Sequence, residues 1–203
     1  MAERGPYRSG IERRRQVVDA ALAVFGEVGF HAASIRDIAD RAGMSHTSVL
    51  RLFGTKEALL KAVLEERDRR SRRDYDLDSS PPLEMLQHLV ELARHNAADR
   101  GLIELYSVLA AEAVSAAHPA HDYFVTRYSE VRARLTQVFQ DLRASGLLRP
   151  GIEPRAAARD VLAQSDGLQI QWLLEPDQID LPGETQRLLE SLLTVPLGTD
   201  ARR

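Results

Sequence analysis

An all-α fold of about nine helices is predicted for this chain by three observations. Apolar residues recur three and four apart in nearly every segment, the period of one helix face. No stretch combines alternating branched residues with the Asn-Gly or Asp-Gly turn of a β-hairpin. Gly, Ser and Pro stand where helices would have to stop or start. At 203 residues the chain can hold a small domain fused to a larger one.

The elements follow in order. Val18, Ala21, Leu22, Phe25 and Val28 give a first helix from about Gly10 to Val28, which Gly29 stops. Ser34 caps a second, whose inner face is Ile35, Ile38 and Ala39. That helix ends at Gly43, and Ser45 caps a third from His46 to about Leu52. Thr55 opens a fourth, which runs through Leu59, Leu60, Val63 and Leu64 into the charged "EERDRRSRRDYD". After the break "SSPP", further helices are expected at about Leu83–Ala98, Leu102–Ala117, His121–Ser145, Pro154–Leu174 and Gly183–Val195. No internal repeat or low-complexity tract is visible.

Composition narrows the function. The absence of cysteine removes disulfides, thiol nucleophiles and cysteine-based zinc sites. No apolar run approaches the ~20 residues of a membrane span, and the basic N-terminus leads into an amphipathic helix, so a cytoplasmic protein without a membrane partner is expected. The net charge of −3 hides an asymmetry: residues 1–75 carry 15 Lys and Arg against 11 Asp and Glu, and residues 76–203 carry 12 against 19. The positive end therefore coincides with the short helices, as a footprint for phosphate requires. An enzyme finds little support, since no Gly-rich phosphate loop, HExxH or GxSxG is present; neither a cofactor nor a metal site is expected. His118 and His121 in "HPAHD" have ligand-like spacing, but a Pro-marked helix start explains them.

The second and third helices have the design of a helix-turn-helix. Ala39 is small where two helices would cross, Gly43 permits a sharp turn, and Val49 with Leu52 seals the pair against the first helix. With Val49 inward at 100° per residue, Thr47 and Arg51 point away, and that outer face fits a major groove.

The run "AALAVFGEVGFHAASIRDIADRAGMSHTSVLRLFGTKEALLKAV" aligns without gaps to the pattern of one family, so residues 13–64 resemble the DNA-binding domain of TetR/AcrR-type transcriptional regulators. The resemblance implies a helix-turn-helix domain over 1–57, with the fourth helix from about Lys56 leading into an effector-binding and dimerising helical domain over 58–203. It implies a homodimeric repressor on a palindromic double-stranded DNA operator, released by a small-molecule effector of largely apolar character. By the same resemblance Arg36 reaches a guanine edge, His46, Thr47 and Leu50 meet bases, and Ser34, Ser48, Arg51 and Lys56 hold phosphates, with Ser45 opening the recognition helix. Two positions depart from the pattern: Leu50 replaces the usual Tyr of "LYxxF", and Thr47 stands where Gly or Pro is frequent. An interaction or sensor module with weakened DNA binding is the alternative.

Two further sites are expected in the larger domain. Leu92, His95, Tyr106, Leu109, Glu112, Phe124, Tyr128, Asp166 and Gln169 would line an apolar pocket with a few orienting polar groups. Val161, Leu168 and Trp172, with Leu188 and Leu192 of the last helix, would form the contact with a twin subunit.

Overall fold

The computed structural model describes residues 6–198, and among them nine helices carry the fold. They are α1 (Pro6–Ala32), α2 (Ile35–Arg41), α3 (His46–Phe53), α4 (Lys56–Asp74), α5 (Pro82–Ala98), α6 (Arg100–Glu112), α7 (His121–Ala144), α8 (Pro154–Leu174) and α9 (Leu181–Leu192). The punctuation acts as the sequence suggests. Gly29 interrupts α1 with φ of 76°, a conformation that side chains with a Cβ resist, and leaves one further turn before Ala33. Ser34 and Ser45 cap α2 and α3 by accepting from the Asp37 and Ser48 backbone N–H groups. α6 ends five residues earlier than its periodicity suggests. The following turns are held by the Ala120 N–H on His118 Nδ1 (3.2 Å) and by the His121 ring on the Ala113 carbonyl (2.8 Å).

The chain forms two compact units, and they do not follow the sequence in two simple blocks. Among the described residues, unit 1 comprises 6–69 with 108–121, and unit 2 comprises 70–107 with 122–198. α4 and α6 thus supply residues to both.

In unit 1, α1 packs on α2 and α2 on α3 around Val17, Ala21, Phe25, Ile38 and Val49, all fully buried, with Leu59 and Leu60 of α4 equally enclosed. Each such Val, Ile, Leu or Phe side chain contributes ~1.5–3 kcal/mol of burial, enough to order helices of seven and eight residues that would not form alone. Val28, expected on the inner face of α1, is half-exposed, because the break at Gly29 carries the chain away there.

In unit 2, α9 packs on α5 and α8. The main core joins Leu86 and Val90 of α5, Leu135, Phe139 and Leu142 of α7, Ala157, Ala158 and Val161 of α8, and Leu189 and Leu192 of α9. A second cluster joins Ala93, Ile103, Leu168, Trp172 and Leu181. All five residues expected at a subunit contact are therefore used by the chain's own core: Val161, Leu168, Trp172 and Leu192 are buried, and Leu188 packs partly buried beside them. The face of α8 that stays open is a different stripe. Ala163, Ile170 and Leu174 are exposed there, and a Cβ added to Gly167 between them would meet no atom within 4 Å.

Candidate functional site

The helix-turn-helix is built as a braced platform. Gly43 adopts φ of 62°, and the Met44 N–H donates back to the Ala39 carbonyl at 2.9 Å, closing the turn. α1 supports the motif at its turn and at its far end: the Gln16 amide donates to the Ala42 carbonyl (2.9 Å), and Arg14 donates to the Leu52 carbonyl (3.0 Å) with its guanidinium 4.3 Å from the Phe53 ring centroid. Arg41 donates through both terminal nitrogens to Glu27, whose carboxyl it holds below the usual range. Sequence reasoning missed Arg14 and Gln16 as braces. The available signal was their place one turn before Val17, Val18 and Ala20 on the buried side of α1.

The outward residues sort by what already engages them. Arg36, His46, Thr47 and Arg51 are exposed, and Leu50 is half-buried between them and the core. Ser45 and Ser48 share a hydrogen bond between hydroxyls (2.8 Å) while Ser45 caps α3, so both are first of all cap residues. Ser34 donates its hydroxyl to Asp37 (2.7 Å) and accepts from the Asp37 N–H in a complete capping box. That hydroxyl and the Ser34 N–H hold the Asp37 carboxyl below its usual range, and the resulting charge stands beside Ser34. Lys56 differs most from its expected role. Its ammonium donates to the carbonyls of Phe30 (2.9 Å), Ala33 (3.0 Å) and His31 (3.4 Å), and sits 4.5 Å from the Phe30 ring centroid. These carbonyls are the orphans left where α1 ends, and the lysine satisfies them instead of reaching outward for phosphate.

Unit 2 holds a polar and aromatic cluster between α6, α7 and α8. Tyr106 and Phe124 meet edge to face at 5.2 Å, Phe124 meets Tyr123 at 5.1 Å and Tyr128 at 6.3 Å, and the Tyr128 hydroxyl donates to Asp166 at 2.6 Å. The Arg127 guanidinium lies 4.9 Å from the Tyr106 ring centroid. Of the nine expected pocket residues, Tyr106, Phe124, Tyr128 and Asp166 are joined by these contacts, and Gln169 lies buried one turn after Asp166 on α8. Leu92 is half-buried on α5, and His95 is exposed with its ring tilted against that of Tyr75 (6.1 Å between centroids). Leu109 and Glu112 belong to unit 1, where Glu112 meets His31 (3.2 Å) and His118 (3.5 Å). Among the described residues no group of three His, Asp or Glu side chains is arranged to hold a metal ion.

Burial pushes the Asp166 carboxyl above its ordinary value of 3.8, against the opposing pulls of the Tyr128 hydroxyl and Arg127. Burial and the bond to Asp166 push the Tyr128 hydroxyl up as well. A carboxyl raised on folding contributes stability that is complete below its unfolded value and is lost as pH rises through the folded one. Asp166→Asn, which keeps an acceptor for Tyr128, is therefore expected to raise the melting temperature at about pH 8 and to leave it unchanged below about pH 4. Thermal melts of both proteins at the two pH values check this, and an equal gain at both would contradict it.

Comparison with known proteins adds three findings. Residues 17–63 match the bacterial regulatory proteins of the tetR family, and residues 82–195 match the C-terminal domain of the BetI-type transcriptional repressor. The chain is 26% identical to the A-factor receptor protein of Streptomyces griseus over 190 residues, which span 90% of this chain but only 63% of that receptor. It is 28% identical to the HTH-type transcriptional regulator BetI of Escherichia coli over 200 residues, spanning 93% of this chain and 95% of BetI. In structure it is similar to the complex of SmeT with triclosan, with a TM-score of 0.74, 21% identity and 89% of each chain covered, a likeness that shows the fold.

Proposed function

Because this chain belongs to the TetR family of bacterial regulatory proteins, we propose that the outward face of α2 and α3 reads a palindromic operator and that a small-molecule effector taken by unit 2 releases it. The chain is a DNA-binding transcriptional regulator, and TetR-family repressors act on operator DNA as dimers. The observation that carries the reading is the braced recognition helix: Arg36, His46, Thr47 and Arg51 stand exposed on elements whose C-terminal ends Gln16 and Arg14 hold, while Lys56 holds the end of α1 that leads into them. A rigid platform with a short polar face is what base readout needs, because its side chains must keep their register against the groove.

The role assignments are adjusted to this geometry. Arg36 and Thr47 are base readers, and His46 flanks them. Leu50 offers an apolar contact suited to a thymine methyl where a Tyr would have offered a hydroxyl. Arg51 and the N-terminus of α3 hold phosphates, the helix dipole adding to the attraction. The homodimer forms through the open stripe Ala163, Gly167, Ile170 and Leu174, whose small residues permit close approach of two copies of α8. No helix among the described residues is long and apolar enough to cross a membrane. With no nucleophile or phosphate-loop motif in the sequence and regulators as relatives, the protein acts in the cytoplasm as a regulator without enzymatic activity. Effector response is supported by two similar proteins, the A-factor receptor protein and SmeT in its complex with triclosan.

Selection of bound duplexes from a random library tests the operator reading. The wild-type protein is expected to enrich an inverted repeat with half-sites about one helical turn apart, ~34 to 36 Å. Arg36→Ala should relax the preference at one base pair per half-site by about 1–3 kcal/mol while leaving the others intact. Enrichment of no sequence, or an Arg36→Ala profile identical to wild type, would reject the assignment.

A further inference from the structure

We propose that the aromatic and carboxylate cluster of unit 2 recognises a protonated amine carried on an apolar body, held by Tyr106, Phe124, Tyr128, Asp166 and Gln169. The inference rests on the reading of unit 2 as the effector-binding part and gives that effector a chemical class.

Three observations converge on it. The first is an unmet buried acceptor. Gln169 is 8% exposed, and its buried Oε1 accepts no hydrogen bond. Asp166 stands three residues earlier on α8, hence on the same side of the helix, and accepts the Tyr128 hydroxyl at 2.6 Å. An ionised carboxylate can accept about four hydrogen bonds, so the pair presents acceptor capacity that a donor-bearing ligand would fill. An unmet buried acceptor costs free energy in the empty protein, and a ligand supplying N–H groups recovers it.

The second observation is the aromatic surround. The Phe124 ring lies 5.2 Å from that of Tyr106 and 6.3 Å from that of Tyr128, and the faces of such rings attract a cation. The third is that a cation is already drawn there. Arg127, half-buried on α7, places its guanidinium 4.9 Å from the Tyr106 ring centroid, and its charge acts on Asp166. It is an internal occupant that a ligand ammonium replaces at the ring. The competing classes fit less well. A neutral alcohol satisfies an acceptor but leaves the carboxylate charge as it was, and an anion adds a second negative charge beside it.

Isothermal calorimetry on the full-length protein tests this with three probes of similar shape and different charge: phenylbutylammonium, phenylbutanol and phenylpentanoate. The ammonium is expected to bind at least ~10-fold more tightly than the alcohol, the scale of a charge-assisted hydrogen bond. Asp166→Asn, confirmed as folded by its melt, should bring the ammonium to the level of the alcohol. Arg127→Gln should tighten the ammonium by removing its competitor. Equal binding of ammonium and alcohol would overturn the proposal, as would no detectable ammonium binding. Preference for the carboxylate, lost in Arg127→Gln, would also overturn it and mark an anion site. Since calorimetry needs no DNA, an ammonium that binds as expected but leaves operator affinity unchanged would refute effector release while the site itself stands.

Discussion

Ile170→Glu combined with Leu174→Glu is expected to give a folded monomer whose operator affinity falls by about 10³-fold or more. Both side chains project from α8 into open space, Ile170 at 50% and Leu174 at 76% exposure, so neither carboxylate disturbs the subunit's own core. In the assembled dimer the same carboxylates would be paired across a two-fold axis, four negative charges withdrawn from water into one apolar contact. One recognition helix on one half-site keeps the phosphate contacts of a single module and loses the avidity of two. Light scattering reads the mass and a polarisation titration reads the affinity. Leu168→Glu and Trp172→Glu are the informative contrast. These residues are 8% and 7% exposed within the subunit, and a carboxylate there has no partner, so the chain should fail to fold before its oligomeric state can matter. Dimers that survive Ile170→Glu and Leu174→Glu would remove the interface assignment.

Lys56→Met should lower the stability of unit 1 by about 2–3 kcal/mol and weaken operator binding about 10-fold, without changing which sequence is preferred. The methionine keeps the length and apolar stem but deletes the ammonium that serves the carbonyls of Phe30, His31 and Ala33. With the end of α1 unsatisfied, the junction into α4 loosens directly after the recognition helix, which spreads the orientations of α3 rather than altering its face. A phosphate-contact lysine would behave differently. Its loss would leave the melting temperature unchanged and would reduce the slope of log affinity against log salt by about 1. Chemical denaturation and a salt series on the same variant separate the two roles, and an unchanged stability with a reduced slope would return Lys56 to the DNA surface.

How much of this was legible in the sequence depends on how local each decision is. Ser34, Ser45 and Gly43 are read correctly because a cap or a tight turn is settled within four residues. The carbonyl partners of Lys56 are not legible because they lie 23 to 26 residues away, and a lysine beside a helix start looks the same whether it faces solvent or the end of another helix. α8 shows the limit of periodicity. Its two apolar stripes through Val161, Leu168 and Trp172 and through Leu162 and Leu173 announce a helix covered on more than one side, yet the wheel does not say which cover is the chain itself. The open stripe is marked by Ala163 and Gly167, residues too small to register as a hydrophobic signal. The pairing of Tyr128 with Asp166 spans 38 residues, so only the packing of α7 on α8 could reveal it.

The most direct test of the central claim is a polarisation titration of the purified protein against its own upstream DNA and a scrambled duplex, at two salt concentrations, with Arg36→Ala beside it. A face built for base readout predicts a preference for the upstream DNA of about 10³-fold or more, persisting at the higher salt and sharply reduced in Arg36→Ala. Equal binding to both duplexes, falling steeply with salt and indifferent to Arg36, would mean that only phosphates are read, and would contradict the assignment of α2 and α3 as a sequence reader.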